Sequence, residues 1–211
     1  MKIALVAASG TIGRHIAQQA IRRGHEVTAV LRRDTDLPAE LDGASIAIAA
    51  LDDHDGLVAV LRGHDVLASA YGPAPGDEAS VSPVTQALIA AARAAGIRRL
   101  VVVGGAGSLE VAPGVQLVDT EGFPPAYKSV ASAHRDALKL YQSTDDLDWT
   151  FYAPAAVIGP GEKQGNFRTQ AKTLLADAQG KSTISYSDYA DAFVSEIEQP
   201  RFVRQIATVA Y

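Results

Sequence analysis

The sequence predicts an α/β protein with a doubly wound, mostly parallel sheet, and three observations carry this prediction. Apolar runs such as residues 3–6 and 100–103 show no polar alternation, as expected of strands covered by helices on both faces. Amphipathic segments of helix length separate these runs, with short links between them. The first 33 residues read as a strand, a small-residue turn, a helix and a second strand, which is the front end of a nucleotide-binding fold.

The turn after the first strand is predicted to bind an anion. Residues 7–10 carry almost no side-chain bulk, so the backbone can turn sharply and a pyrophosphate can sit against its amides. Gly13 falls where the helix must approach the strand, and Gly24 ends the helix. Free N–H groups and the positive end of the helix dipole then point at the turn.

One position departs from the usual glycine fingerprint. The motif reads A-x-x-G-x-x-G, because Ala7 stands where the first glycine is expected. If this position needs a positive φ, alanine costs about 1 kcal/mol there. If the position only needs to be small, alanine is tolerated.

The remaining elements follow in order along the chain. After a second strand ending at Arg32 and Arg33, strands are predicted at residues 45–50, 65–70, 100–103, 149–152 and 205–211. Helices are predicted from the cap Asp53 to Gly63, from Ser82 and Pro83 to Gly96, from Ser129 onward, and over 187–198, with a hairpin turn at Gln179-Gly180. Right-handed crossovers then give the strand order 3-2-1-4-5, with ligands at the carboxyl ends of the strands.

Two long loops interrupt this alternation. The segment 104–125 holds three prolines and five glycines, and a second loop covers 154–165. A segment of this length without regular structure inside a compact domain is typical of a functional loop. The first begins at the carboxyl end of the fifth strand, beside the predicted nucleotide site.

Composition narrows the function classes. A chain of 211 residues suits one domain spanning 1–211, with 155–185 as a substrate-side excursion. The net charge of −5 gives no footprint for nucleic acid, and the absence of cysteine excludes disulfides and thiolate chemistry. No apolar run approaches a membrane span, and no histidine has a partner at metal-ligand spacing. Because the sequence opens on the first strand, we expect no signal peptide. We therefore expect a cytoplasmic monomer or homodimer that acts on a small molecule, with no metal, nucleic-acid or membrane partner.

Several segments resemble a known family over nearly the whole chain. They are KIALVAASGTIG, GHEVTAVLR, GHDVLASAYGP, RRLVVVGGAGSLEVAPGVQLVDT, DDLDWTFYAPAAVIGPGEKQG and SYSDYADAFVSEIEQP. These segments are similar to atypical short-chain dehydrogenase/reductase-like proteins, which have an NAD(P)-binding Rossmann domain. Within that family they most resemble small bacterial proteins described as NADH-flavin reductases, which are related to biliverdin reductase B and the NmrA-like regulators.

The resemblance implies a set of coenzyme contacts. Backbone amides of Gly10, Thr11, Ile12 and Gly13 would hold the pyrophosphate. Further contacts are implied at Ala7, Ser9, Leu51, Ala70, Tyr71, Gly72, Gly104, Gly105 and Pro154. Arg32, assisted by Arg33, would meet a ribose 2′-phosphate, which favours NADP(H) over NAD(H); the alternative is that both arginines form a solvated edge.

An acidic residue near the adenine is also usual in the family. The matching position here is Ala50, and Asp52 and Asp53 follow it closely enough to be candidates for the same role. Together with Ala7, this makes two altered contacts.

The resemblance weakens at the catalytic positions. The wider superfamily uses Y-x-x-x-K, but Tyr127 is followed at that spacing by Ala131, and Lys128 points about 100° away on a helix. The usual serine after the fifth strand is replaced by residues 104–106, and the small size of residues 104–107 predicts space for a flat ring. Tyr127, Lys128 and Ser108 are the candidate catalytic residues.

These departures favour hydride transfer to an acceptor that needs little acid catalysis, such as a flavin or a quinone. Tyr71, Phe123 and Phe167 are the candidate substrate-binding aromatics. Two alternatives stay open: a regulator that senses NADP(H) without turnover, and a non-redox enzyme that reuses the cleft.

Overall fold

The computed structural model describes residues 1–34 and 36–211, and its helices and strands alternate as the sequence predicts. The strands are β1 Lys2–Val6, β2 Glu26–Leu31, β3 Ser45–Ile48, β4 Val66–Ser69, β5 Arg99–Val103, β6 Glu110–Ala112, β7 Val115–Gln116, β8 Asp148–Ala153, β9 Val157–Gly159, β10 Arg168–Ala171, β11 Thr183–Ser185 and β12 Gln205–Ala210. The helices are α1 Thr11–Arg22, α2 His54–Leu61, α3 Val81–Ala95, α4 Pro125–Gln142 and α5 Tyr186–Glu198. Nothing in the described ranges is a helix of the length and apolarity that crossing a membrane requires.

The main sheet has eight strands in the order β10-β12-β8-β5-β4-β1-β2-β3. All neighbouring pairs are parallel except β10 with β12. The predicted order 3-2-1-4-5 is confirmed. Since β2 and β3 are added on one side of β1, and β4 and β5 on the other, the strand order reverses between the parallel strands β1 and β4. Their carboxyl ends therefore flank the crevice in which ligands of such sheets bind.

Helices cover both faces of this sheet. Alternate residues of β1 enter different cores: Ile3 and Leu5 pack in the layer of α1 and α5, whereas Ala4 and Val6 pack in the layer of α2, α3 and α4. All four side chains are almost fully buried. Burial of each larger apolar side chain stabilises the fold by about 1.5–3 kcal/mol, so this unbroken apolar strand anchors both layers at once.

The helix ends largely follow their predicted signals. The Asp53 carboxylate accepts a hydrogen bond from the Gly56 amide at 3.1 Å and caps α2. Gly96 ends α3 at φ 76°, in the left-handed region that favours glycine. The predicted cap at Ser82 is wrong, because α3 already begins at Val81.

Three predictions for the later part of the chain need correction. Helix α4 begins at Pro125 and not at Ser129, since proline at the first helical position already has a suitable φ. The loop 104–125 contains the short hairpin β6–β7. The turn at Gln179-Gly180 exists, but no hairpin surrounds it, because β10 pairs with β12 and β11 pairs with β9.

Candidate functional site

A cleft of about 720 Å³ lies at the carboxyl ends of β1, β2, β3 and β4. Eight residues predicted to contact the coenzyme line it: Ala7, Ser9, Gly10, Arg32, Arg33, Leu51, Tyr71 and Gly72. Asp52, a candidate for the acidic position near the adenine, also lines the cleft. Sequence reasoning did not assign the other lining residues, which are Val6, Val30, Leu31, Ala49, Ala74, Asp77, Pro83, Val84 and Ala87. The cleft therefore gathers the predicted contacts from four separate loops.

The turn after β1 has the geometry of the glycine fingerprint although it begins with alanine. Ala7 has φ 58°, so the position requires the left-handed conformation and alanine bears its cost, about 1–2 kcal/mol. The Gly10 amide donates to the Ala7 carbonyl at 3.1 Å and closes the turn. A Cβ on Gly13 would lie 2.2 Å from the same carbonyl oxygen, which confirms that α1 approaches the strand too closely for a side chain.

The N-cap of α1 lines the cleft, and the helix start has no side-chain cap. Gly10 is the N-cap residue and offers no side chain, and the first helical turn contains no acidic residue. Thr11 is exposed. The Arg14 amide donates a hydrogen bond to the Gly10 carbonyl at 2.9 Å, which begins the hydrogen bonding of the helix. The positive end of the helix dipole is thus available to an anion at Ser9 and Gly10.

Charged side chains stand at the far wall of the cleft. Arg32 and Arg33 are exposed directly after β2, and no salt bridge joins either guanidinium to a residue in 1–34 or 36–211. Asp53 is engaged in capping α2, whereas Asp52 lines the cleft after β3. The carboxylate nearest to the expected acidic position is therefore that of Asp52, two residues after Ala50.

Tyr71 is held at the junction between β4 and α3. Its amide donates to the Ser69 hydroxyl at 3.2 Å, and its own hydroxyl lies 2.7 Å from the Ser80 hydroxyl. Tyr71 lines the cleft, and the hydrogen bond to Ser80 holds its side chain in one position.

The glycines after β5 leave room for two aromatic side chains that pack against them. A Cβ on Gly104 would lie 2.2 Å from the Phe151 ring, and one on Gly105 would lie 3.0 Å from the Cβ of His134. On that side of the glycines, the space predicted to receive a flat ring is occupied by these two aromatic side chains. Neither glycine lines the cleft.

His134 is a half-buried polar group that the helix pattern did not single out. It lies edge-on to Phe151 at 6.5 Å between ring centroids and faces a small cavity shared with Ser69, Tyr71 and Tyr141. Burial lowers the pKa of the His134 imidazole, which keeps the ring neutral near pH 7.

The three predicted catalytic residues lie apart from the cleft. Tyr127 is 64% exposed in the first turn of α4, and Lys128 beside it is also exposed. Ser108 is only 3% exposed and lies in the short helical turn that precedes β6. Ala131, at the lysine position of the superfamily motif, is buried, with its Cβ 2.8 Å from where a Cβ on Gly107 would stand.

The remaining predicted contacts do not line the cleft. Phe123 is half-buried, Phe167 packs against the α1–α5 core, and Pro154 is buried after β8. Ile12, Gly13 and Ala70 are partly or fully covered by the elements that shape the turn and the end of β4.

The loop after β8 is fastened to α5 by one carboxylate. Asp188 is fully buried and accepts hydrogen bonds from the amides of Gln164 at 2.8 Å and Gly165 at 2.9 Å, and from the Tyr211 hydroxyl at 2.7 Å. Burial alone would raise the pKa of Asp188, but these hydrogen bonds outweigh it and hold the pKa below its ordinary value. The end of the loop 154–165, at Gln164 and Gly165, is thus positioned by an ionised side chain.

Comparison with known proteins gives a consistent result. The profile of a family described as NAD(P)H-binding matches residues 7–200. YwnB of Bacillus subtilis (strain 168), an uncharacterised protein, is 38% identical over 99% of this chain and 98% of its own length.

Solved structures are similar over the full chain. One, from Burkholderia pseudomallei and provisionally described as an exported protein, has a TM-score of 0.93 and 55% identity, with 100% of both chains covered. Another, from Streptococcus pneumoniae TIGR4 and provisionally described as an NADH-flavin reductase, has a TM-score of 0.90 and 33% identity, covering 100% of this chain and 99% of the other.

Proposed function

The chain belongs to the NAD(P)H-binding family, and from this premise we propose that it is an NAD(P)H-dependent oxidoreductase that reduces a flavin or quinone-like acceptor by hydride transfer. The observation that carries the proposal is the cleft at the β1–β4 crevice, which joins the uncapped start of α1 to two arginines after β2. An anion site and a cationic site in one cleft suit a coenzyme with phosphates at both places.

The residues present fit the diphosphate and adenosine half of the coenzyme. The missing Cβ of Gly13 lets α1 start directly against the turn, so amides near Ser9 and Gly10 can face a diphosphate. Leu51 after β3 offers an apolar wall for the adenine, and Tyr71 and Gly72 lead toward the nicotinamide end.

We assign the preference for NADP(H) to the arginines. Both line the cleft and neither is neutralised by an ion pair with a described residue. A guanidinium can bind a 2′-phosphate with paired hydrogen bonds, which a ribose hydroxyl cannot match.

The preference can be tested with Arg32→Gln. We expect NADPH binding to weaken at least about tenfold, since a hydrogen bond between charged groups is worth about 1.5–3 kcal/mol, while NADH binding changes little. Calorimetric titration of both coenzymes measures this. The matched control is Arg62→Gln, which removes a cation near the amino ends of β1, β2 and β3, away from the cleft. Equal losses for the two coenzymes would refute the phosphate role.

The cleft offers the substrate little acid catalysis, and this is why we propose a flavin or a quinone as the hydride acceptor. When bound, the reduced coenzyme supplies a hydride; this chain's residues would bind it, orient it and exclude water. The Tyr71 hydroxyl is already paired with Ser80, and no tyrosine–lysine pair lines the cleft within the described ranges. A flavin or quinone needs little help from a protein acid, which suits this arrangement.

Residues 155–185 supply the substrate side in this proposal. Their first part is fixed on α5 through Asp188, and Phe167 extends from the core layer of α1 and α5. A rigid wall here would restrict the acceptor to one orientation.

Turnover is tested by following NADPH oxidation by absorbance with FMN, riboflavin and a small quinone in turn. Steady oxidation that requires both protein and acceptor supports the reductase. Coenzyme binding without oxidation would contradict it and favour an NADP(H)-sensing regulator, a reading supported by Ala131 at the lysine position. Failure to bind either coenzyme would leave a non-redox use of the cleft.

A further inference from the structure

A second cavity, of about 230 Å³, lies on the α4 side of the sheet near the amino ends of β8 and β12. It shares no lining residue with the coenzyme cleft. Leu138, Trp149 and Ile206 give it an apolar floor, and Ser108 lies at its wall.

Ser108 is a buried hydroxyl with an unmet hydrogen bond. The residue is 3% exposed, and its Oγ has no hydrogen-bond partner in the ranges 1–34 and 36–211. Its carbonyl is satisfied by the Gln116 side-chain amide at 3.1 Å, so only the hydroxyl is left over. Buried polar groups are normally paired, and an orphan beside a cavity indicates a missing ligand or water.

The backbone around this cavity is strained at two cationic residues. Lys172 has φ 69° and Arg204 has φ 57°, and both line the cavity. In the described ranges only Ala7, at the turn of the coenzyme cleft, is a third non-glycine residue with positive φ. Such conformations concentrate at ligand sites, where the surrounding structure holds them.

The charges of the cavity wall favour an anion. Glu110 lies 3.0 Å from the Lys172 ammonium. Arg204 donates to the Leu147 carbonyl at 3.2 Å and pairs at 3.5 Å with Asp148, a carboxylate outside the lining that also meets Arg98 at 3.6 Å. Two cations and one carboxylate line the cavity, which leaves a net charge of +1.

From these features we propose that the cavity binds a small aromatic monocarboxylate. The volume equals that of about eight liquid waters at roughly 30 Å³ each, which suits one ring with one carboxylate. The apolar floor at Trp149 receives the ring, the excess cation balances the carboxylate, and the Ser108 hydroxyl donates to a ligand oxygen.

The chain carries its own reporter, because Trp149 is the single tryptophan. Benzoate is titrated into the full-length protein while tryptophan fluorescence is followed, with benzamide and benzylamine as neutral and cationic probes of the same shape. We expect a saturable change with benzoate, binding at least about tenfold weaker with benzamide, and none with benzylamine. No saturable change up to about 10 mM benzoate, or equal affinity for benzamide, would overturn the proposal.

Variants separate the site from a general charge effect. Ser108→Ala removes the orphan hydroxyl, so thermal stability should stay equal or rise while benzoate binding weakens about fivefold. Arg204→Asn keeps a residue that tolerates positive φ and removes the charge, so binding should weaken at least about tenfold.

The control is Lys139→Gln, which removes an exposed cation of α4 that does not line the cavity, and it should bind benzoate as the wild type does. Unchanged affinity in both cavity variants, or an equal loss in the control, would overturn the assignment. Strict competition between benzoate and NADPH would place the ligand in the cleft and would also overturn it.

Discussion

At the residue scale, Ala7 combines a functional turn with a conformation that alanine disfavours. Its φ of 58° destabilises the folded protein by about 1–2 kcal/mol. Glycine at this position has no such strain and costs only about 0.5–1 kcal/mol, because a chain with glycine loses more entropy on folding. We therefore predict that Ala7→Gly leaves the free energy of unfolding unchanged or raises it by up to about 1 kcal/mol, measured by urea denaturation.

The neighbouring alanine provides the matched control. Ala8 is fully buried in the core and lies outside the left-handed region. Ala8→Gly loses a buried methyl and gains chain entropy, so it should cost about 1–2 kcal/mol. Equal destabilisation by the two substitutions would show that Ala7 is not strained.

At the element scale, the Asp188 carboxylate holds the end of the loop 154–165 against α5. We call this contact the Asp188 latch, and we predict that its contribution to the free energy of unfolding is lost in acid. Because the folded-state pKa of Asp188 lies below its ordinary value, the stabilisation is present above the unfolded pKa of about 3.9 and is lost as the pH falls through the folded pKa. Asp188→Asn should thus destabilise the protein at pH 7, and the difference from the wild type should shrink in acid.

Urea unfolding at neutral pH and below about pH 3 measures this difference. Asp145→Asn, a change at an exposed carboxylate, should alter stability by less than about 0.5 kcal/mol. A gap between the wild type and Asp188→Asn that is independent of pH would contradict the latch.

The elements that the sequence predicts well are those encoded by local signals. The cap at Asp53, the left-handed Gly96 and the close approach at Gly13 each depend on one residue and its immediate chain, and all three are confirmed. The hairpin at Gln179-Gly180 is wrong because strand pairing depends on distant partners, here β9 and β12.

In the candidate site too, local signals locate some residues, and others depend on packing between distant elements. The turn after β1 and the arginines after β2 could be located from the strand ends. The lining residues of α3, such as Val84, and the placement of His134 beside the small cavity depend on how whole helices pack on the sheet. No local sequence pattern predicts that packing. The Tyr127–Lys128 pair lies in an exposed first turn because α4 begins at Pro125.

At the scale of the whole molecule, a buried ion pair joins the centre of the sheet to the last helix. Arg99 at the start of β5 meets Glu196 of α5 at 2.8 Å, with side chains 11% and 2% exposed. Glu196 also accepts from the amides of Arg201 and Phe202 at 3.1 Å. The pair therefore fixes α5 and the segment that leads into β12.

Removing one partner should be costly because it leaves the other charge buried. We predict that Glu196→Gln lowers the free energy of unfolding by about 3–5 kcal/mol, whereas Asp136→Asn, which breaks an exposed pair with Lys139, loses about 0.5 kcal/mol or less. Denaturant unfolding of both variants checks this, and similar losses would show that the buried pair has no special role.

The fold places the start of α1, the arginines after β2 and the end of β4 around one cleft, and coenzyme binding there is the central claim. Titration calorimetry of the purified protein with NADPH and with NADH tests it most directly. We predict saturable binding of one NADPH per chain, with NADH binding more weakly. Absence of binding by both coenzymes would contradict the claim.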